Sequence, residues 1–358
     1  MQGIEEKIKD FLQERELDGL LVADGHNMRY LSGFTGATGY LYISRQQQVI
    51  LTDSRYTLQA REEAPRFQVV EVSRQEGYKE KLLNLTQEDE TKRLGFEDQV
   101  MMYATVESLK EKLTPVGEWV PLRGALSTFR QIKTEGEIER MAQAEAIGDK
   151  AFDYLLGELR PGVTELTIAA KLEFYMKTHG AEDIAFPSIV ASGLHSAMPH
   201  ATPSRKKLEQ GDFITLDFGC RYEGYCSDMT RTVVLGKASE RQREIYQIVL
   251  EAQLAGLEAV RAGISGKEAD EAARAVIEKA GYGEYFGHAL GHSVGLEVHE
   301  RPSLSQGDDT ILKPGMIETV EPGIYVPGFG GVRIEDMVVV TETGCRNLTH
   351  SPKELIEL

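Results

Sequence analysis

One internal repeat limits what this chain can fold into more than any other feature. Leu159-Arg-Pro-Gly-Val-Thr164 recurs 101 residues later as Val260-Arg-Ala-Gly-Ile-Ser265. Each copy closes one helical pattern and opens another. Phe152, Leu155, Leu156 and Leu159 run into the first copy, and Ile245, Ile248, Val249 and Ala252 precede the second. Both sets keep the i, i+3, i+4, i+7 spacing of a core-facing stripe. The glycine of each copy suits a left-handed helix C-terminus, and Thr164 or Ser265 suits the next N-cap. Ser239-Glu-Arg-Gln242 and Ser265-Gly-Lys-Glu268 have capping-box spacing. Strand-like runs follow each helix pair: Phe213–Phe218 and Met229–Leu235, then Gly315–Val326 and Val332–Thr341. Two helices plus antiparallel strands, used twice, predict a pseudo-twofold α+β domain with side chains from both halves meeting at its centre.

The repeat leaves the first third of the chain unexplained, and 358 residues exceed one ordinary core. Residues 1–125 read as a separate α/β domain. Ile4, Ile8, Phe11 and Leu12 share a helical face, Gly19–Ala23 is a short buried strand, and Tyr40–Ile43 and Gln48–Thr52 are two more. The glycines of Leu31–Gly39 lack the lysine and hydroxyl of a phosphate loop, so they read as a turn-rich connection. Asn84–Arg93 reads as a solvated charged loop. Pro115, Pro121 and Gly124 mark the boundary, and the second domain is placed at 130–358.

Forty basic against 57 acidic residues give a net charge of −17, which excludes phosphate backbones and anionic membranes as partners. No apolar run approaches the ~20 residues of a membrane span. The first residues form a charged amphipathic pattern, so no signal peptide is expected. Three cysteines without a CxxC pair suit a reducing cytoplasm and predict no disulfide.

Chemistry concentrates in the repeat. Asp217 interrupts the apolar run 213–218, and Asp228 opens the next; close carboxylates repel unless a cation lies between them. Glu321 ends an apolar strand in the second half, and Glu335 lies inside another. Glu318 and Asp336 have the opposite parity and should face away. Between these runs, His288, His292 and His299 fall within twelve residues among Gly287, Gly291 and Gly295. Four carboxylates and a histidine make an oxygen-rich donor set for one or two divalent ions such as Mn²⁺, Co²⁺ or Zn²⁺.

LDFG…SDMTRT, the GHxxGHxxGLxxHE stretch, TVEPGIY and GVRIED together resemble the metal-dependent aminopeptidase P and prolidase family. That family shares the pita-bread fold with methionine aminopeptidase and creatinase. NMRYLSGFTGATG and LTDSRY are similar to the creatinase-like amino-terminal domain of the aminopeptidase P side. The resemblance implies five ligands to two divalent ions, manganese first and cobalt or zinc next. These are Asp217, Asp228, His292, Glu321 and Glu335, with Asp228 and Glu335 bridging. It implies that His200 and His299 flank the scissile bond, with Glu335 moving the water's proton, and that His288 and Arg333 line the pocket beyond it. Ala289 and Ser293 depart from glycines common in the family but remove no ligand. The implied protein is a cytoplasmic homodimer acting on proline-containing peptides, an Xaa-Pro aminopeptidase first and a prolidase restricted to dipeptides second. Creatinase-like or non-catalytic relatives lose metal ligands, and none is missing here.

Overall fold

Short apolar runs bounded by polar turns build a six-stranded sheet in the first third of the chain. The structure is a computed structural model and describes residues 2–358. It divides into two units between Arg130 and Gln131. The first unit contains strands β1 (Gly19–Val22), β2 (Tyr40–Ser44), β3 (Gln48–Asp53), β4 (Gln68–Val72), β5 (Arg93–Phe96) and β6 (Glu118–Pro121), in the order β4-β3-β2-β1-β5-β6. Leu20 and Val22 of β1 pack with Ile8, Phe11 and Leu12 of helix α1 (Gln2–Glu14), while Leu21 packs on the other face with Leu82, Leu85 and Leu109. That alternation is the period of a strand covered by helices on both sides. The expected loop at Asn84–Arg93 is instead the end of a helix, Tyr78–Glu88, and the start of β5. Leu82, Leu85 and Thr86 are buried there, so three inward-facing residues outweigh a charged sequence that faces solvent.

The second unit repeats itself as expected. Helices α6 (Glu135–Leu156) and α7 (Glu165–Thr178) serve the first half; α8 (Glu240–Ala259) and α9 (Gly266–Lys279) serve the second. Thr134, Thr164, Ser239 and Ser265 are N-caps whose hydroxyls accept from backbone amides three residues on. The repeat glycines, Gly162 at φ 88° and Gly263 at φ 90°, are left-handed. They lie in turns beyond the helix ends, however, because α6 already stops at Leu156 and α8 at Ala259. Gly162 N donates to Leu208 O at 2.9 Å and Gly263 N to Leu312 O at 3.0 Å, the same contact made twice.

The strands of each half do not run straight through. β8 (Ile189–Ser192), β9 (Phe213–Phe218) and β12 (Met229–Val234) form one sheet of the first half. In the second, Gly291–Ser293, Glu300–Leu304, Ile317–Val320, Asp336–Val340 and Cys345–Asn347 form a five-stranded sheet, and Gly323–Val326 pairs separately with Gly330–Arg333. The expected run 315–326 therefore breaks at Glu321-Pro322, where proline offers no amide hydrogen. The run through Glu335 breaks at Ile334-Glu335, so Glu335 is not inside a strand. Asp228 likewise sits between Cys226 and the start of β12. Three of the four carboxylates thus stand where the chain leaves one sheet for another. Thr230 and Glu335 form an isolated antiparallel bridge that joins the two halves there. Gly291 permits a close approach of two strands: a Cβ on it would fall 1.9 Å from the Thr319 carbonyl oxygen.

Beneath this junction Arg231 is fully buried and uses all its donors. They go to the carbonyls of Thr230 (2.9 Å), Glu335 (2.5 Å), Ser351 (2.8 Å) and Pro352 (3.0 Å), and to Asp336 Oδ1 (2.8 Å). On α6, Glu145 is fully buried nearby. Thr349 Oγ1 donates to its Oε1 at 2.6 Å, and Oε2 has no hydrogen-bond partner among the described residues. Burial pushes its carboxyl up to about 8. A folded value above the unfolded ~4.3 means that Glu145's contribution is complete below that pH and is lost as pH rises through about 8. Glu145→Gln is expected to stabilise the protein by roughly 2–4 kcal/mol at pH 9 and to do little at pH 4, read from urea unfolding at both pH values.

Candidate metal centre and cleft

The sheet breaks deliver their carboxylates to one place. Asp217, near the end of β9, pairs across the sheet with Ile189 of β8, so both present their side chains to the same cleft. His292 lies on Gly291–Ser293, where a register shift between His292 and Ser293 bends the strand. The cleft encloses a cavity of about 120 Å³. Asp217, Asp228, His292, Glu321, His200, His288, His299 and Arg333 all line it, with Phe186, Ile189 and Pro199 as apolar wall.

His292 shows what the centre requires. Its Nδ1 lies 3.1 Å from the Ser293 carbonyl oxygen, which only an N–H can satisfy. In the neutral ring Nε2 therefore carries the lone pair. Burial, reinforced by His299, pushes its pKa down to about 4, so the ring is neutral at ordinary pH. Yet Nε2 faces Asp228 Oδ2 at 3.4 Å and Glu321 Oε1 at 3.5 Å. A lone pair aimed at two carboxylate oxygens is satisfied only when a proton or a metal ion lies between them. Donor atoms of Asp228, His292 and Glu335 lie within 4.8 Å of one another. The donor set therefore fits a divalent ion.

The carboxylates carry the same signature. Burial raises Asp228 well above its ordinary value, and Glu335, Asp217 and Glu321 raise it further. Glu335 is raised by burial and then by Glu321 and Asp217. Glu321 is pushed up to about 8 by burial, against the pull of Arg333. Arg333 is the cation among the residues lining the cleft, and its Nη2 is bound to Asp217 Oδ2. Four carboxylates around one guanidinium leave an excess of negative charge in a low-dielectric centre.

Parity sorted the neighbours correctly. Glu318 turns away, fully buried, and accepts from Ser293 Oγ at 2.8 Å. Asp336 turns toward Arg231, Lys353 and Gln253.

Orientation of the donors depends on hydroxyls that charge-based reading of the sequence passed over. Thr230 Oγ1 donates to Glu335 Oε2 at 2.6 Å and accepts from Arg333 Nε at 3.1 Å. Thr319 Oγ1 accepts from the His292 amide and donates to Glu321 Oε1 at 3.2 Å. Tyr325 links two wall residues: Arg333 Nη1 donates to its oxygen at 2.6 Å, and that hydroxyl lies 2.9 Å from His288 Nε2. Since His288 Nδ1 is 2.8 Å from the Ala289 carbonyl, Nδ1 is the donor and Nε2 accepts from Tyr325. Both His288 nitrogens are thus occupied, and the ring meets the cleft as a surface. Burial, with Arg333 beside it, lowers its pKa to about 4. Thr230, Thr319 and Tyr325 all lie inside or beside the motifs SDMTRT and TVEPGIY, which is the signal that would have found them.

His200 and His299 stand exposed at the cleft, and the His299 ring lies 4.3 Å from that of His292. Partial desolvation against the cleft wall lowers the His299 pKa, in part offset by Asp217.

A carboxylate-and-histidine centre on a pseudo-twofold domain, opening to a cleft with a partly apolar wall, is the build of a metal-dependent hydrolase. The chain belongs to metallopeptidase family M24, whose model matches residues 139–342, and a Creatinase/Prolidase N-terminal domain matches residues 6–132. It is 42% identical over 352 residues to the Xaa-Pro dipeptidase of Pyrococcus furiosus, covering 98% of this chain and 99% of that protein. A solved Xaa-Pro dipeptidase from Bacillus anthracis superposes with a TM-score of 0.96 at 44% identity, covering 100% of this chain and 99% of that one. An X-Pro aminopeptidase structure from Thermotoga maritima gives a TM-score of 0.90 at 39% identity over 96% of this chain and 98% of its own.

Tyr325→Phe would leave the buried His288 Nε2 and an Arg333 N–H unpaired. A loss of about 1–3 kcal/mol in urea unfolding is expected, without loss of bound metal by elemental analysis.

Proposed function

We propose that the chain is a prolidase, a metal-dependent peptidase that splits Xaa-Pro dipeptides. The reading of the sequence placed Xaa-Pro aminopeptidase first; full-length similarity to proteins named Xaa-Pro dipeptidase reverses that order. The structural likeness to the Thermotoga X-Pro aminopeptidase keeps cleavage of longer peptides as the second reading. The observation carrying the metallopeptidase chemistry is the His292 lone pair directed at Asp228 and Glu321.

In this reading Asp217, Asp228, His292, Glu321 and Glu335 would hold two divalent ions, and Asp228 and Glu335 would be the ligands common to both. Manganese is the first choice, cobalt and zinc the others. The working form is a homodimer in the cytoplasm, as the family resemblance implies.

When bound, such ions polarise a peptide carbonyl and lower the pKa of water from about 15.7 towards roughly 7. Glu335 keeps Oε2 on the Thr230 hydroxyl, so its other oxygen takes the proton of the attacking water and returns it to the leaving nitrogen. His299 donates to the oxyanion that develops at the carbonyl. His200 contacts the substrate from the opposite side. The bond before proline has no N–H, so recognition must rest on ring shape, which Phe186, Ile189 and Pro199 supply.

Two measurements test this. After Mn²⁺ reconstitution, mass spectrometry should find alanine released from Ala-Pro and little from Ala-Pro-Gly or a longer Ala-Pro peptide, with EDTA abolishing release. Equal release from all three would make the second reading correct, and silence on all three with metal bound would exclude both. Asp228→Asn should lower metal content measured by elemental analysis and cut turnover at least about 100-fold. Full activity with full metal content would overturn the shared-ligand assignment.

A further inference from the structure

We propose that Glu165 is a positioning residue that sets His200 in the cleft by drawing together the two stems of the segment 192–204. The inference rests on the reading above that His200 contacts substrate.

Glu165 is the first residue of α7 and is fully buried. Its Oε1 accepts from Ser192 N and Ser192 Oγ, both at 2.8 Å. Its Oε2 accepts from Ser204 N at 3.0 Å and Ser204 Oγ at 2.6 Å. His195 Nδ1 lies 2.9 Å from Oε2 and donates there. Every one of these donors belongs to the segment 192–204, which leaves β8 at Ser192 and carries Pro199 and His200 before returning at Ser204. Burial would raise the carboxyl's pKa, but the Ser204 and Ser192 hydroxyls, the Ser192 amide and His195 outweigh it, so the group stays ionised. One charge closes the base of the segment.

The far side of the segment is pinned independently. Gly331 N donates to Ser196 Oγ at 2.9 Å, and Arg333 Nη1 donates to the Pro199 carbonyl at 3.3 Å. With both sides fixed, the backbone of Pro199-His200 has one place to be. None of the five proposed metal ligands hangs on Glu165.

The other half of the repeat uses the same device. On α9, buried Asp270 accepts from Leu290 N at 2.9 Å and from Arg274 Nε at 2.7 Å. Arg274 in turn donates to the carbonyls of Phe286 (2.9 Å) and His288 (2.7 Å). The second helix of each half therefore carries a buried acid that holds a histidine-bearing segment of the cleft wall. A bare helix-start acid would tie only its own first turn, and in α7 that task is done by Thr164.

Glu165→Gln is nearly isosteric but replaces one acceptor oxygen with an amide that opposes an N–H. One stem should be released. The test combines hydrogen–deuterium exchange of 193–203 with steady-state kinetics on Ala-Pro and elemental analysis of bound metal. Expected are at least about tenfold faster exchange in that segment, a KM raised at least about tenfold, kcat within about threefold, and unchanged metal. Ser204→Ala, which removes one hydroxyl, should show a smaller change of the same sign and serves if Glu165→Gln does not fold. Unchanged exchange in the folded variant overturns the clamp. Faster exchange with unchanged KM overturns its role in placing His200, and a fall in kcat with lost metal would mean that it serves the metal centre instead. If the wild-type protein fails to cleave Ala-Pro, the prolidase reading has failed, while the exchange measurement still decides whether Glu165 holds the segment.

Discussion

The rest of this structure depends on an excess of negative charge held out of water. Asp217, Asp228, Glu321 and Glu335 converge beside a histidine that offers a lone pair instead of a proton, and Arg333 is the cation set among them. A folded chain tolerates such a cluster only if the backbone around it is strongly fixed, because each side chain alone would relax toward solvent or protonate. The surrounding architecture serves that end. Both halves of the repeat end their strands at the cluster, and the isolated bridge between Thr230 and Glu335 binds the halves across it.

Arg231 shows how far the support extends. It lies one residue beyond Thr230 and points away from the cleft. Its guanidinium ties the carbonyls of Thr230 and Glu335 to Asp336 and to the segment at Ser351-Pro352. The alternation of a strand places Thr230 toward the donors and Arg231 behind them. Lys353 adds a second cation to Asp336, at 2.7 Å. The buried acid behind the centre is thus fully compensated, whereas the acids in front are not. The face that opens to the cleft is thus the one where several carboxylates meet a single guanidinium.

Much of this was legible in the sequence, for a physical reason. A charged residue in an apolar run is conspicuous, because burial of an unpaired charge is costly and has to be explained. That logic picked out Asp217, Asp228, Glu321 and Glu335, and strand parity correctly set aside Glu318 and Asp336. The repeat gave the two-half architecture. The breaks at Glu321-Pro322 and Ile334-Glu335 were missed, since changing sheets leaves the hydrophobic pattern uninterrupted and alters only hydrogen-bond partners. The helix through Asn84 was missed because one buried face, Leu82, Leu85 and Thr86, was hidden in a charged stretch. Thr230, Thr319 and Tyr325 carry no charge, and a hydroxyl's role depends on where its proton points, which spacing does not encode.

The histidines show why the cleft divides its labour. His288 and His292 each give one nitrogen to a backbone carbonyl, and burial keeps both rings neutral. Their remaining nitrogens then meet opposite fates: His288 receives the Tyr325 hydroxyl, and His292 is left open toward Asp228 and Glu321. A residue of one chemical type presents either a capped wall or an open lone pair according to whether a donor stands within reach. Arg333 joins the wall to the carboxylates, since its Nη1 donates to the Tyr325 hydroxyl oxygen while its Nη2 is bound to Asp217. The wall and the donor set are therefore parts of one hydrogen-bonded network. A change at Arg333 should be felt on both sides at once, at Asp217 and at the Tyr325–His288 wall.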